Sequence, residues 1–564
     1  MKESLERALR KAARELLANG ETMPEIRLTR PKLREHGDYA SNLALQLSRQ
    51  LGKPPRQVAE DLLARVVWPQ VVASAEIAGP GFINIHLRQA SETQVIWDVL
   101  RQGHTYGCRS QQERQKICLE FVSANPTGPM HVGHGRGAVV GDVLASVLQA
   151  VGHEVTREYY INDAGAQIGV LADSVWLRMR ELQGEVIDFP ESAYPGEYVI
   201  DIARTLLACR PYAEWQEMDA DLRREIIGQA AVDANMKVIR EDLAALGIEF
   251  DVFFSERELH RSGKVLAMIE ELKSRGLVYT GILPPPKGKE VEDYRPVEQL
   301  LFRATDFGDD CDRPLLKQDG SPTYFAADIA YHHDKHLRGF DRMIDVWGAD
   351  HGGYVARVQA AVRALTGRVG QPDILLVQMV NLTRDGKPVR MSKRAGTFVT
   401  LREVVDEVGR DAVRFNFMTR RAESQLDFDL AKAKEQSDEN PVYYVQYAHA
   451  RICAILRKAA DLGISPGKEG MDLSCLASHE EKRLVKALLE YPEMLEKAAQ
   501  RLEPYRVATY AMRLAADFHS FYHKYRVITE HKKETEARLA LIQATRQVLS
   551  NALGILGVDA PERM

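Results

Sequence analysis

Two histidines, His131 and His134, stand three residues apart in the segment ANPTGPMHVGHGRG. The segment follows KICLEFVS (116–123), which reads as a short buried strand, and precedes AVVGDVLASVLQAVG, which reads as an apolar helix ending at Gly152. A triphosphate needs backbone N–H groups and a helix amino terminus aimed at it. Glycines such as Gly133 and Gly135 let the main chain come close. Both imidazoles then face one way and can donate to phosphate oxygens. Neither a Walker lysine loop nor a GxGxxG fingerprint is present. A second chemical segment is DGKPVRMSKRAG (385–396), with Met391, Ser392 and Lys393 among the cations Lys387, Arg390, Lys393 and Arg394. A cationic loop that closes over a pyrophosphate leaving group would neutralise charge growing in a displacement at phosphorus. Alone, the first segment also fits a plain strand-to-helix turn, and the second a solvated basic turn.

The elements that must hold these segments read as a parallel α/β sheet. HEVTREYYI (153–161) is a second strand, RMIDVWGADH (342–351) a third, and ILLVQMV (374–380) a fourth. Residues of about 166–320 read as a mostly helical insertion between two halves of that sheet. Thr400 and Glu403 frame a capping box. Before the sheet, residues 1–110 read as an α+β unit. It opens on an amphipathic helix with Leu5, Leu9, Ala12, Ala13 and Leu16 on one face, and it holds the strand GPGFINIHL (79–87). After about residue 440 only helices are expected.

Composition narrows the function classes. The 564 residues carry a formal net charge of −5, so no global nucleic-acid affinity is announced. Residues 441–564 hold 18 Lys+Arg against 15 Asp+Glu, a local excess of +3 that leaves −8 for the rest. Within 505–546, Tyr505, Tyr510, Phe518, Phe521, Tyr522 and Tyr525 lie among arginines and lysines. This fits base stacking with backbone contacts, although most of these rings are expected in a helical core. The six cysteines form no CxxC pair and suit a reducing cytoplasm. No apolar run nears the roughly 18 residues that span a bilayer, and no secretory leader is read. His332, His333 and His336 in YHHDKH lack the further ligands a zinc site needs, so no structural metal is expected.

HVGH followed some 260 residues later by MSK resembles the HIGH and KMSKS signatures of class I aminoacyl-tRNA synthetases. The surrounding words resemble the bacterial-type arginyl-tRNA synthetase family: EFVSANPTGPMHVGHGRG, REYYINDAGAQI, YFAADIAYHHDK, VWGADHGGY, VRMSKRAGTFVTL, NPVYYVQYAHARI and LGVDAPERM. The likeness runs from about residue 36 to 564. It implies a Rossmann-like catalytic domain over 111–440, an N-terminal α+β domain (1–110) that meets the transfer-RNA elbow, and an all-helical anticodon-binding bundle (441–564).

The resemblance implies L-arginine, ATP with Mg2+ and tRNA(Arg) as partners, in a cytoplasmic enzyme expected as a monomer. His131, His134, Lys393 and Arg390 become the electrostatic catalytic set, with Gly133, Gly135, Met391 and Ser392 at ATP. Arg390 stands where the signature has its first lysine. Some members lacking that lysine carry one three residues before the first histidine, where this chain has Gly128. A guanidinium is matched by carboxylates and its planar fork excludes lysine. Glu120 ends the first strand, and Tyr324 and Asp328 share a helix face at i, i+4. The family assigns arginine contacts to Glu120, Asn125, Tyr324 and Asp328, with Asp350 ranked below them. For transfer RNA it points to Phe82, Asn84, Tyr522 and Met564, although Phe82 fits the strand core better. Two rivals stand beside this reading: a class I synthetase for another amino acid, and an RNA-binding paralogue with a dead site.

Overall fold

The computed structural model describes the chain except residues 1, 18–21, 27, 30, 32–35, 70, 88, 109–113, 284–296 and 390–398. The chain divides into two compact units, one of 1–106, 454–490 and 517–548, the other of 107–453, 491–516 and 549–564.

The second unit is built on a five-stranded sheet. Its spatial order is Asp373–Val377, Arg342–Gly348, Lys116–Glu120, Glu154–Ile161, Val252–Ser255, and every pairing is parallel. The chain starts at the central strand, builds outward to one side, and then crosses to the other. The switch point therefore lies at the carboxyl ends of Lys116–Glu120 and Arg342–Gly348, where such sheets bind ligands. The helix Val132–Ala150 follows the first strand. It is apolar almost all round and buried on most faces, as its sequence requires. Gly141 lets it approach the sheet, since a Cβ there would meet the Phe121 ring at 2.3 Å.

Two expectations are corrected here. Residues 166–320 are not one insertion. The helices Ala166–Leu182, Glu197–Cys209, Tyr212–Glu217 and Ala220–Ala245 are inserted, but Val252–Ser255 then returns to the main sheet as an edge strand. Its four half-buried residues are too few to show a period. A small antiparallel sheet of Val278–Gly281, Gln299–Phe302 and Arg313–Pro314 follows. Nor is 374–380 a single strand. Asp373–Val377 pairs in the main sheet, whereas Val380–Arg384 pairs with Lys387–Pro388 and Leu426–Asp429 in another. The break falls at Gln378, whose N–H is taken by the carbonyl of Ala422 at 2.8 Å. The capping box at Thr400 and Glu403 forms as read.

In the first unit an antiparallel sheet runs Leu28–Thr29, Tyr39–Ser41, Phe82–Leu87, Val72–Ala78. The helix Lys2–Leu16 buries Leu5, Leu9, Ala12 and Ala13 in the same core as Leu47, Leu62, Ile83 and Ile85. Residues past 440 are helical, in Pro441–Asp461, His479–Arg501, Tyr505–Lys524 and Lys532–Leu556. Of the rings noted in the sequence, Tyr510, Phe518 and Phe521 are buried.

Candidate active site

Right after Lys116–Glu120 the main chain turns through two left-handed residues, Val122 at φ 69° and Ser123 at φ 41°. A β-branched residue in that region costs on the order of 1–3 kcal/mol and persists only where neighbours enforce it. Ser123 supplies the enforcement. Its hydroxyl donates to Glu120 Oε1 at 2.9 Å and accepts the Tyr160 N–H at 3.0 Å. The inserted helices fix the next residues: Asn235 donates to the Pro126 carbonyl at 2.9 Å and Tyr198 to that of Thr127 at 2.6 Å.

His131 is the N-cap of Val132–Ala150. Its Nδ1 accepts the Gly133 N–H at 3.1 Å, and His134 Nδ1 accepts the His131 N–H at 3.3 Å. The rings stack with centroids 3.8 Å apart. Because each Nδ1 lone pair is engaged, a neutral ring carries its proton on Nε2. Two Nε2–H donors thus stand at a helix amino terminus, with the helix dipole behind them.

Arg390, Met391, Ser392 and Lys393 of the basic signature segment lie outside the described residues, and the chain that follows them is fixed beside His131. Before it, Asp385 and Gly386 turn the hairpin of Val380–Arg384 and Lys387–Pro388 with φ 50° and 73°. After it, His131 and Thr400 form an antiparallel bridge, and the Leu401 N–H donates to the Met130 carbonyl at 2.8 Å.

A cleft of about 560 Å³ opens at the switch point. Its lining includes Glu120, Asn125, His131, Gly133, His134, Tyr324, Asp328 and Asp350, so these residues read from the sequence converge. Gly135 does not line it. That glycine packs instead, since a Cβ there would meet Leu401 at 2.4 Å. Asn125 donates to Gln167 at 2.9 Å, and the Tyr324 hydroxyl accepts the Ala166 N–H at 3.3 Å. Asp350 is exposed at the rim.

Electrostatics single out Asp328. Burial, reinforced by Glu256, Glu120 and Asp345, pushes its carboxyl up to about 7, against a smaller opposing pull from His332. Glu256 also lines the cleft, and burial raises its carboxyl too. Sequence reading missed Glu256; a Ser255 N-cap before it was the one local signal. It also missed Arg136, buried and donating to the carbonyls of Gln378, Arg421 and Ser424 at 2.7–2.9 Å. This ties the histidine helix to a segment of the cleft wall. A concave site lined by several desolvated carboxylates suits a cationic ligand.

The transfer-RNA candidates divide. Asn84 is 3% exposed and cannot meet a large partner as it stands, whereas Phe82, expected in the core, is 39% exposed. Phe82 is the first residue of its strand. Tyr522 is half-buried and stacks on Phe518 at 6.0 Å, and Met564 is exposed. The three histidines of YHHDKH do not converge. His332 is bonded to Asp345, and His333 lies 3.5 Å from Glu271.

Known proteins match this arrangement. Residues 1–87 match the arginyl tRNA synthetase N terminal domain, 95–188 the catalytic domain of class I (R) tRNA synthetases, and 445–564 the DALR anticodon binding domain. The arginine–tRNA ligase of Magnetococcus marinus is 48% identical over 577 residues, covering 100% of both chains. That of Azorhizobium caulinodans is 50% identical over 549 residues, 95% of this chain and 94% of the other. Among solved structures, the arginyl-tRNA synthetase of Thermus thermophilus shares the fold over 100% of both chains, with a TM-score of 0.73 at 23% identity. Mycobacterium tuberculosis methionyl-tRNA synthetase shares it over 78% of this chain and 91% of its own, with a TM-score of 0.54 at 12% identity. With the paired histidines, the carboxylate-rich cleft and end-to-end identity to curated ligases, this chain belongs to the arginine–tRNA ligase family of class I aminoacyl-tRNA synthetases.

Proposed function

We propose that the cleft activates L-arginine with ATP and passes it to the terminal adenosine of tRNA(Arg). The observation that carries this is Asp328, a carboxyl raised to about 7 among further carboxylates and a few residues' reach from a phosphate-type helix terminus. The arginine carboxylate attacks the α-phosphorus of ATP, supplied as its magnesium complex, and pyrophosphate leaves. The 2′-hydroxyl then attacks the adenylate carbonyl, releasing AMP. Neither step needs a protein nucleophile; positioning and charge stabilisation suffice. His131 and His134 donate from Nε2 to phosphate oxygens, Lys393 and Arg390 close over the leaving group, and Gly133, Met391 and Ser392 hold ATP. Glu120, Asn125, Tyr324 and Asp328 hold arginine, with Glu256 as a second guanidinium carboxylate and Asp350 at the rim. ATP–pyrophosphate exchange with each amino acid, with and without transfer RNA, tests this. Exchange driven by a different amino acid would overturn it.

The raised carboxyl has a measurable consequence. Arginine pairs with the ionised form of Asp328, which the empty site holds protonated below about pH 7. The Km for arginine should therefore rise about tenfold per unit as pH falls below that point and level off above it. Calorimetry in buffers of different ionisation enthalpy should detect one proton released on binding at low pH. A flat profile would remove Asp328 as the pairing group.

Domain roles follow the same reading: 1–110 at the transfer-RNA elbow, 111–440 for chemistry, 441–564 at the anticodon. Phe82, Tyr522 and Met564 are the exposed or half-exposed RNA candidates, and Asn84 supports the strand from within. Tyr522→Ala should raise the Km for tRNA(Arg) by roughly 5–100-fold, the equivalent of about 1–3 kcal/mol for one stacked base. Arginine and ATP constants should not move. A folded variant with normal transfer-RNA Km would make Tyr522 a packing residue. The chain acts as a monomer in the cytoplasm. Six free cysteines suit that compartment, and no described helix is long and apolar enough to cross a membrane.

A further inference from the structure

From Glu120 in the cleft a buried ionic chain runs inward, and the reaction scheme gives its other members no role. Lys335 is fully buried in the helix Tyr324–Leu337. Its Nζ donates to Glu120 Oε2 at 2.6 Å and to Asp345 Oδ1 at 2.9 Å, and it sits 4.2 Å from the Tyr331 ring centroid. Asp345, also fully buried, meets His332 Nε2 through its other oxygen at 2.8 Å. His332 Nδ1 lies 2.8 Å from the carbonyl oxygen of Asp328. Both partners of that ring are oxygens that accept. Burial opposes the charge on Asp345, but Lys335, the largest opposing pull, keeps it ionised and holds its carboxyl down to about 2. The His332 ring therefore donates from both nitrogens and carries a positive charge. Ligand atoms of Glu120, His332 and Asp345 lie within 4.8 Å of one another, a spacing that would suit a metal ion. Here the Lys335 ammonium already bonds both carboxylates, and the cluster is neutralised from inside the protein.

We propose that Lys335 and His332 are positioning residues for arginine: an internal cation pair that fixes the Glu120 carboxylate and trims the charge of the pocket to what arginine needs. This deepens the arginine reading of the cleft and rests on it. Four carboxylates bear on the site, Glu120, Glu256, Asp328 and Asp345. The two internal cations leave a balance of two negative charges for the guanidinium and the α-ammonium of arginine, whose carboxylate lies outside that balance because it is directed at the α-phosphorus of ATP. A pocket with all four carboxylates unopposed would instead hold protons in place of its ligand, because like charges at close range cannot all ionise. A pocket lacking Lys335 would also leave Glu120 with Ser123 alone to orient it.

The remaining groups around the pair are accounted for. Glu158, on the strand Glu154–Ile161, is matched by Arg338 and accepts from the Tyr331 hydroxyl. The Cys118 thiol beside Lys335 is pushed up by burial and stays neutral. On the far wall, Asp163 is held by the N–H of Arg257 and by Ser255, and His260 lies 3.6 Å from Glu256. The Tyr160 hydroxyl is pushed far up by burial and stays neutral. None of these bonds Lys335 or His332.

Charge trimming makes a signed prediction that simple scaffolding does not. L-arginine is titrated calorimetrically into the full chain across a pH series, and the pH midpoint of affinity is read. Lys335→Met removes a positive charge and should move the midpoint up by about one unit, while Asp345→Asn removes a negative one and should move it down by about as much. The double variant Lys335→Met/Asp345→Asn should return close to wild type, although it lacks both native bonds. Weakened binding in both single variants with no opposed shift would overturn the inference. If Lys335→Met fails to fold, the other two variants decide. A downward shift in Asp345→Asn with a near-native double variant supports it, and an unshifted Asp345→Asn midpoint overturns it. A wild-type chain that binds no arginine would overturn the cleft reading itself, a result visible before any variant is made.

Discussion

Replacing His134 by alanine should slow adenylate formation by about 10²–10³-fold, the roughly 2.7–4 kcal/mol typical of losing one preorganised donor to a developing charge. The Nδ1 of His134 is engaged by the His131 N–H, so its Nε2–H is aimed by the backbone before substrate arrives. That preorganisation is what makes the donor worth more in the transition state than in the ground state. The Km for arginine should stay within a fewfold, because the amino-acid pocket lies on the helix Tyr324–Leu337 and not on the histidine helix. Losing the bond from the His131 N–H to His134 Nδ1 should cost about 1 kcal/mol of stability, too little to unfold the chain. Pyrophosphate exchange at saturating arginine checks this, and an unchanged kcat would remove His134 from the chemistry.

Asp328→Asn should raise the Km for arginine by about 10²–10³-fold or more, the roughly 3–5 kcal/mol expected when a buried charge loses its partner. The amide keeps the shape of the side chain, and the main-chain carbonyl that accepts from His332 is untouched. ATP affinity should therefore hold. The pH dependence of the arginine Km should also flatten, because the group that titrates near 7 is gone. An arginine Km within a fewfold of wild type would transfer the anchoring role to Glu256. The two variants fail in different terms, one in kcat and one in Km, which separates the phosphate end of the cleft from its guanidinium end.

What could be read directly from the sequence was what short spacing determines. His131 and His134 at a strand-to-helix turn, the capping pair Thr400 and Glu403, and the apolar face of Lys2–Leu16 each depend on neighbours within a few residues. So does the i, i+4 pairing of Tyr324 and Asp328, which places both in one cleft. Fold class follows from the same local periods, since a strand, a glycine turn and an apolar helix leave few other packings. The tertiary structure decided everything that depends on which distant segments meet. Val252–Ser255 is a strand because Glu158–Ile161 pairs with it, not because four residues carry a pattern. Residues 374–380 split because Ala422 takes the N–H of Gln378. Gly135 packs against Leu401 away from the cleft lining, and Asn84 is buried while Phe82 is exposed, which alternation along a strand alone does not decide. Glu256 and Lys335 reach the site from 136 and 215 residues beyond Glu120, and only folding brings those charges within range of one another. Charge in a desolvated pocket is a sum over neighbours in space, so the sequence named Glu120 and Asp328, and the fold alone brought in Glu256 and Asp345 and decided which of the four stay charged.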